Sequence, residues 1–243
     1  MIIVSLVSES CSRYYYVANV QNVPMLKQKD ELHLSGFVGG GDETTCYEAQ
    51  VAYSATNHMG IMANIMTGKG GNIQTHNYGK GTFAEGAVGY YKPMGKLGVF
   101  EIYGGIGGCG QHHEFCNSYT SENHGYADVS YMRLFVQPSF GISTQVFDFA
   151  LSARMCNVIY TRVDNMVSGN IDAYNNLVNL QEQLPFNFEP AATLRIGWKN
   201  VKAQAQLEYA GFINTGSLIF GEDWHISFGL NISFSARSKS KSN

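Results

Sequence analysis

Cys46–Ser54 reads CYEAQVAYS. Tyr47, Ala49, Val51 and Tyr53 fall on one side of an extended chain; Cys46, Glu48, Gln50, Ala52 and Ser54 fall on the other. Side chains of a strand point alternately to its two faces, so this stretch is a strand with one apolar and one polar face. A helix would group residues three and four apart and mix the two sets.

The same period of two recurs on both sides of that stretch. It runs through Leu32–Val38 before it and through Gly60–Thr67, Thr82–Tyr91 and Gly98–Gly107 after it. It continues in Val129–Phe140, Phe147–Tyr160, Phe188–Gly197, Val201–Tyr209 and Trp224–Phe234. These make ten strands, an even number, as single-chain bacterial barrels have. The segments between them alternate in length. Ala55–Met59, Lys92–Leu97, Gly141–Val146 and Lys199-Asn200 are short. Gly68–Gly81, Gly108–Asp128, Thr161–Asn187 and Ala210–Asp223 are longer, and Gly39–Thr45 is the shortest on that side. Short turns at one rim and long loops at the other predict an all-β, antiparallel transmembrane barrel with periplasmic turns and extracellular loops. A soluble sandwich has no reason to sort its connections this way.

Side-chain chemistry fits that expectation. One face carries Phe100, Ile102, Ile106, Met132, Leu134, Val136, Phe149, Leu151, Leu194, Ile196, Leu207, Phe228, Leu230 and Ile232. The other carries Glu48, Gln50, Glu85, Glu101, Arg133, Gln137, Arg154, Arg195, Gln204, Gln206, Glu208, His225 and Asn231. Alternation alone does not say which face is inner. Acids and arginines that pair across a narrow lumen favour the polar face inside, with Glu48, Glu85, Glu101, Arg133, Arg154, Arg195 and Glu208 as its charged network. The inverse arrangement would make a soluble lipid-binding barrel. Tyr53, Tyr90, Phe100, Phe140, Phe149, Trp198 and Phe234 cluster toward the short-turn rim, and Tyr47, Phe188, Tyr209 and Trp224 toward the long-loop rim. Aromatic girdles of this kind mark membrane interfaces.

Composition sets further bounds. The 243 residues carry a net charge of −3 and only 14% charged side chains. There is no basic stripe for nucleic acid. No apolar run approaches the length of a membrane helix, a test that barrel strands escape because their two faces average out. No linker divides the chain, so residues 30–234 read as one barrel, with 1–29 as an N-terminal periplasmic segment and 235–243 as a basic, disordered tail. Both termini are then periplasmic. Met1–Val7 (MIIVSLV) is apolar, and Ser8-Glu9-Ser10-Cys11 resembles a lipoprotein cleavage site in which Cys11 takes the lipid. Cys46, Cys109, Cys116 and Cys156 remain.

The last strand, Ser227-Phe228-Gly229-Leu230-Asn231-Ile232-Ser233-Phe234, resembles the C-terminal signal read by the barrel-assembly machinery, with Ser227, Gly229, Ile232 and Phe234 at its fixed positions. Such a strand offers an edge for strand addition. The chain is also similar to a family of small outer-membrane barrel lipoproteins of Gram-negative bacteria. The likeness rests on Asn22-Val23-Pro24-Met25-Leu26, Phe83-Ala84-Glu85, Gly89-Tyr90, Tyr103-Gly104-Gly105 and Phe135-Val136-Gln137-Pro138. It covers most of the chain and implies fold and location, not an activity.

Catalytic patterns are sparse. His112, His113, Glu114, His124 and Asp128 share the third long loop but match no triad or dyad by spacing, and no Gly-x-Ser-x-Gly elbow occurs. Cys109, His112, His113 and Cys116 are metal-ligand types. In an oxidising compartment Cys109 and Cys116 read instead as a disulfide closing a small loop, with free thiols as the alternative. Gly39-Gly40-Gly41 and Gly70-Gly71 precede no helix and read as turn glycines. Ile171, Tyr174, Leu177, Val178 and Leu184 lie near helical spacing, with Ser168 or Asn170 as cap. This predicts a short helix that either covers the barrel mouth, docks a partner or packs on its own loop. The expected function is a non-catalytic envelope role, structural or partner-binding. No cofactor or metal is implied. The partners are outer-membrane lipid, the assembly machinery and another envelope protein at the long loops, and a narrow pore for small solutes is the competing role.

Overall fold

The computed structural model describes residues 14–41, 43–72, 77–116, 124–166, 177, 180–182, 184–213 and 221–235. Its strands are β1 (Glu31–Gly40), β2 (Thr44–Ser54), β3 (Met59–Asn72), β4 (Asn77–Met94), β5 (Gly98–Cys116), β6 (His124–Ser143), β7 (Phe147–Met166), β8 (Phe186–Trp198), β9 (Val201–Tyr209), β10 (Gly211–Phe212) and β11 (Trp224–Ser235). Each pairs antiparallel with its chain neighbour from β1 to β9, and β11 pairs with both β9 and β1. The ladder therefore closes into a ten-stranded barrel, with β10 an extra short strand against β8. Closure gives each of the ten a partner on both sides over the span they share, while β7 beyond Asn157 pairs with β6 alone.

The apolar face is the outer one. Ile61, Leu134, Leu151, Ile196 and Leu230 are each about half exposed, at 49%, 47%, 56%, 57% and 55%. Arg133, Arg154, Gln137 and Glu208 on the opposite face are buried. The soluble lipid-binding alternative needs the reverse and is set aside on this ground. Tyr47, Tyr53, Tyr90, Phe140, Trp198, Phe234, Phe188, Tyr209 and Trp224 all point outward.

Two expectations change. The long connections are shorter than they read, because β3 to β7 run on past the predicted strand ends. β6 and β7 reach 20 residues each, against roughly 9–11 needed to cross a bilayer. Their sequence beyond the apolar belt turns polar and Gly-rich, which hid strands that need no lipid-facing side chains. A register shift between Ser130 and Tyr131 accompanies the extension on the β6–β7 pair.

The second change concerns the N-terminal segment. Residues 14–26, expected below the barrel, run through its lumen. Tyr15, Tyr16, Ala18, Asn19, Val20, Gln21, Val23, Met25 and Leu26 are all buried. Tyr16 bridges Gly221, beside the connection into β11 at the long-loop rim. Lys27 emerges at the short-turn rim, where its Nζ donates to Ser143 O at 2.6 Å. Partial burial there lowers the Lys27 ammonium below its usual range, offset in part by Asp148. The chain thus enters at the long-loop rim, crosses the lumen and turns back at Asp30 (φ 63°) into β1. Ser235 pairs with Glu31 at the short-turn rim, so the two ends of the described chain sit at opposite rims; the termini themselves lie outside the described residues.

Packing at the wall is close where aromatic rings lie over glycines. A Cβ on Gly107 would strike Phe83 Cζ at 2.5 Å, and one on Gly229 would strike Phe37 Cδ1 and Gly36 O. Small residues there let rings lie flat against the inner wall.

Candidate functional site

The lumen has three layers. At the long-loop end, Tyr15 and Tyr16 pack with Phe83, Val129, Tyr131, Val158 and Tyr160. Leu177 and Leu180 are buried in the same cluster, whereas Leu184 of the expected helix is exposed. Ile171, Tyr174, Val178, Ser168 and Asn170 of that expectation lie outside the described residues.

The middle layer is polar, and strap and wall bond each other on all sides. The Tyr16 hydroxyl donates to Glu189 and accepts from Arg133 Nη1 at 2.8 Å. Asn19 Nδ2 donates to Glu85 at 3.0 Å, and Arg133 Nη2 donates to Asn19 Oδ1 at 2.5 Å. The Val20 N–H donates to Glu48 at 2.9 Å. The Gln21 N–H donates to Gln206 Oε1 at 2.7 Å, and Gln206 Nε2 donates back to Gln21 O at 2.9 Å. Arg154 donates to Glu189, to Glu208 at 2.9 Å and to Asn19 O at 2.9 Å. Arg133 also pairs with Glu85 and sits 4.4 Å above the Phe83 ring. These groups are nearly all inaccessible to solvent, so each charge depends on its partners to offset lost hydration.

The lower layer anchors the exit. Glu101 accepts the N–H groups of Met25 and Leu26, both at 3.0 Å. Met25 has φ 56°, and this left-handed turn lets two successive N–H groups reach one carboxylate. Arg195 Nη2 donates to Val23 O at 2.7 Å, and Gln137 Nε2 donates to Asn22 O at 2.8 Å. Lys202 pairs with Asp148 at 2.6 Å nearby.

Every residue of the sequence-derived charged network therefore lies on the inner wall: Glu85, Arg133, Arg154 and Glu208 in one cluster, with Glu48, Glu101 and Arg195 against the strap. Sequence reading missed Glu189, the shared carboxylate of both arginines, and the whole strap. One signal was available. Tyr14–Leu26 carries no charge yet holds Asn19, Gln21 and Asn22, between the charged Arg13 and Lys27. Amides without charges suit a segment that must bond buried carboxylates and carbonyls on every side.

The remaining candidate residues are scattered. Cys109 is buried and unpaired. Cys109 and Cys116 lie seven positions apart along the single strand β5, a backbone rise of roughly 20 Å or more, far beyond disulfide reach. The predicted disulfide is thereby corrected, and free thiols hold for Cys46, Cys109 and Cys156. His112 and Asp128 are cross-strand neighbours on β5 and β6, their side chains meeting at 2.7 Å on the outer surface. Sequence spacing did not reveal this pair, because strand pairing creates it. Among the described residues no serine, threonine or cysteine side chain bonds to the pair, and no His/Cys/Asp/Glu cluster could hold a metal. Of the assembly-signal residues, Ser227 is buried on the inner face and Phe234 is exposed on the outer one. Ile232 pairs with Leu34, and Gly229 pairs with Phe37 at the closing seam. Cys11 and the tail after Ser235 lie outside the described residues.

No family model matches the sequence, and no curated protein matches it either. Solved bacterial barrels are similar in architecture. The N-terminal β-barrel domain of Pseudomonas aeruginosa OprF is 12% identical over 85% of this chain and 98% of its own, with a TM-score of 0.37. The outer membrane protease OmpT from Escherichia coli is 5% identical over 85% and 94%, at 0.44. An outer membrane channel from Pseudomonas putida F1 is 8% identical over 89% and 100%, at 0.44.

Proposed function

We propose that this chain spans the outer membrane of a Gram-negative bacterium as a closed, self-plugged barrel. Its role there is structural or partner-binding, exercised through its rims and outer face. The observation that carries this reading is the occupied lumen: the chain's own strap fills it and bonds the wall in every layer. An apolar belt on the outside supports the membrane location, because monomeric soluble proteins rarely expose contiguous apolar surface of that extent. The final strand supports delivery by the barrel-assembly machinery. The strands that project past the belt support a partner site at the long-loop rim.

Planar-bilayer recording tests the reading. The purified, refolded parent should insert and give no steady conductance. Steady conductance would overturn the plugged reading in favour of a narrow solute pore. Recovery of the protein from cells as a soluble periplasmic species, without detergent, would overturn the membrane location itself.

A further inference from the structure

The outer face across β11, β1, β2 and β3 is notched. Gly36 on β1 and Ala49 on β2 stand directly opposite each other, both facing outward. Their missing bulk opens a groove of about 750 Å³, walled by Leu34, Val38, Tyr47, Ile65, Phe228 and Leu230. Packing of the wall does not require Gly36 to be small. A Cβ there would meet nothing closer than Glu48 O at 3.9 Å. The space that the glycine leaves is therefore on the membrane side.

One end of the groove is polar and then basic. It runs up to Thr67 and Thr82, a cross-strand pair on β3 and β4. Two residues further toward the long-loop rim stand Lys69 and Lys80, again directly opposite and outward. Two residues of strand rise by about 7 Å. Both lysines are exposed, and among the described residues neither has an ion-pair or hydrogen-bond partner. The acids nearest the pair are Glu43, two residues before the Thr45 that stands opposite Lys69, and, beyond the His112 that stands opposite Lys80, Asp128 and Glu114; the last two are held by His112. Like charges placed opposite on neighbouring strands destabilise a sheet, so nothing in the fold explains the pair. It would be explained by an anion that both lysines share.

Resting on the membrane reading above, we propose that this face binds one phosphate-bearing lipid of the long-loop leaflet. Its acyl chain lies in the Gly36–Ala49 groove, and its phosphate sits between Lys69 and Lys80. The order along the barrel is that of a lipid: apolar groove, hydroxyl pair, paired cations. Tyr47 at the groove's upper wall sits where an interfacial aromatic belongs.

Native mass spectrometry of the refolded barrel in detergent provides the test. Phosphatidylglycerol and phosphatidylcholine of equal chain length are offered to the parent, to Lys69→Gln/Lys80→Gln and to Gly36→Leu. The parent should retain one phosphatidylglycerol in preference to phosphatidylcholine. Two cations near an anionic headgroup correspond to about thirtyfold in affinity, so the lysine variant should lose that preference. Gly36→Leu should lose retention of both lipids by filling the groove. Glycerol phosphate, which has no chains, should not displace the bound lipid. Equal retention of the two lipids by the parent, or unchanged phosphatidylglycerol retention in either variant, would overturn the proposal. Heat-modifiable gel mobility, measured on each protein, reports folding separately. A parent that lacks it contradicts the barrel reading, whereas folded variants that keep the lipid contradict only the lipid site.

Discussion

Arg154→Leu is the sharpest probe of the closed lumen. Arg154 is fully buried and donates to Glu189, to Glu208 at 2.9 Å and to the strap's Asn19 O at 2.9 Å, with Glu85 at 3.7 Å. Leucine keeps the volume but provides no donor. Glu85, Glu189 and Glu208 would then face Arg133 alone, and a strap carbonyl would lose its partner. Removing one member of a buried ion pair costs about 3–5 kcal/mol, because the remaining charge keeps its desolvation penalty. Arg162→Leu is the control. Its partner is Asp164, and the two side chains are 66% and 52% exposed, so the loss there should stay below about 1 kcal/mol. A second control, Arg154→Leu/Glu208→Gln, removes one orphaned carboxylate and should recover part of the loss. The assay is a urea titration in lipid vesicles, following the heat-modifiable folded band for all four proteins. An Arg154→Leu midpoint within about 1 kcal/mol of the parent would refute the reasoning. It would mean that water screens the cluster, as an open lumen would allow.

The other expectations are independent of that cluster. Leu134→Arg, at a half-exposed position of the outer belt, should destabilise the barrel by about 2–4 kcal/mol in the same vesicles if it lies near mid-membrane; an unchanged midpoint would contradict the face assignment. Gly229→Val should lower outer-membrane levels in cells, since a Cβ there already meets Gly36 O and the Phe37 ring, and Phe234→Ala should do so by weakening the assembly strand; normal levels of both would remove the assembly reading. Cys109 should be alkylated after unfolding without reductant, as judged by peptide mass spectrometry; protection of Cys109 until reductant is added would restore a disulfide.

Much of the wall was legible because a barrel strand states its environment every second residue. Glu48, Gln50, Arg133 and Arg154 alternate with Tyr47, Ala49, Leu134 and Leu151, and a shift of one residue would expose all the charges to lipid. Strand existence and facing follow from that constraint alone. The strand extensions of β5 and β6 were not legible, because Gly108–Glu114 and His124–Asp128 lie past the apolar belt. With no lipid to face, their outward positions accept His112 and Asp128, and the pattern fades into one that loops share. The misread disulfide has the same origin: once Cys109 and Cys116 were taken as loop residues, nothing prevented their meeting. The strap was illegible for a different reason. Its neighbours come from β2, β4, β5, β6, β7, β8 and β9 at once, and no local period encodes contacts distributed around a circle.

Strap and wall nonetheless account for one another. Without the strap, Glu101 and Glu48 would each lose two N–H donors, and Gln206 a reciprocal amide pair, all inside a closed wall. Without the wall, the strap backbone from Asn19 to Leu26 would have no sheet to join, since it is hydrogen-bonded mainly by side chains: Arg154 to Asn19 O, Gln50 to Val20 O, Gln137 to Asn22 O and Arg195 to Val23 O. Buried backbone groups must find partners, and here the lumen's long polar side chains take the place of a neighbouring strand. This fits the Gln, Arg and Glu side chains of the inner face, which are long enough to reach a segment running near the barrel axis. It also explains why the strap itself bears no charge: the wall already supplies both signs, and a further ion at the axis would have lacked a partner.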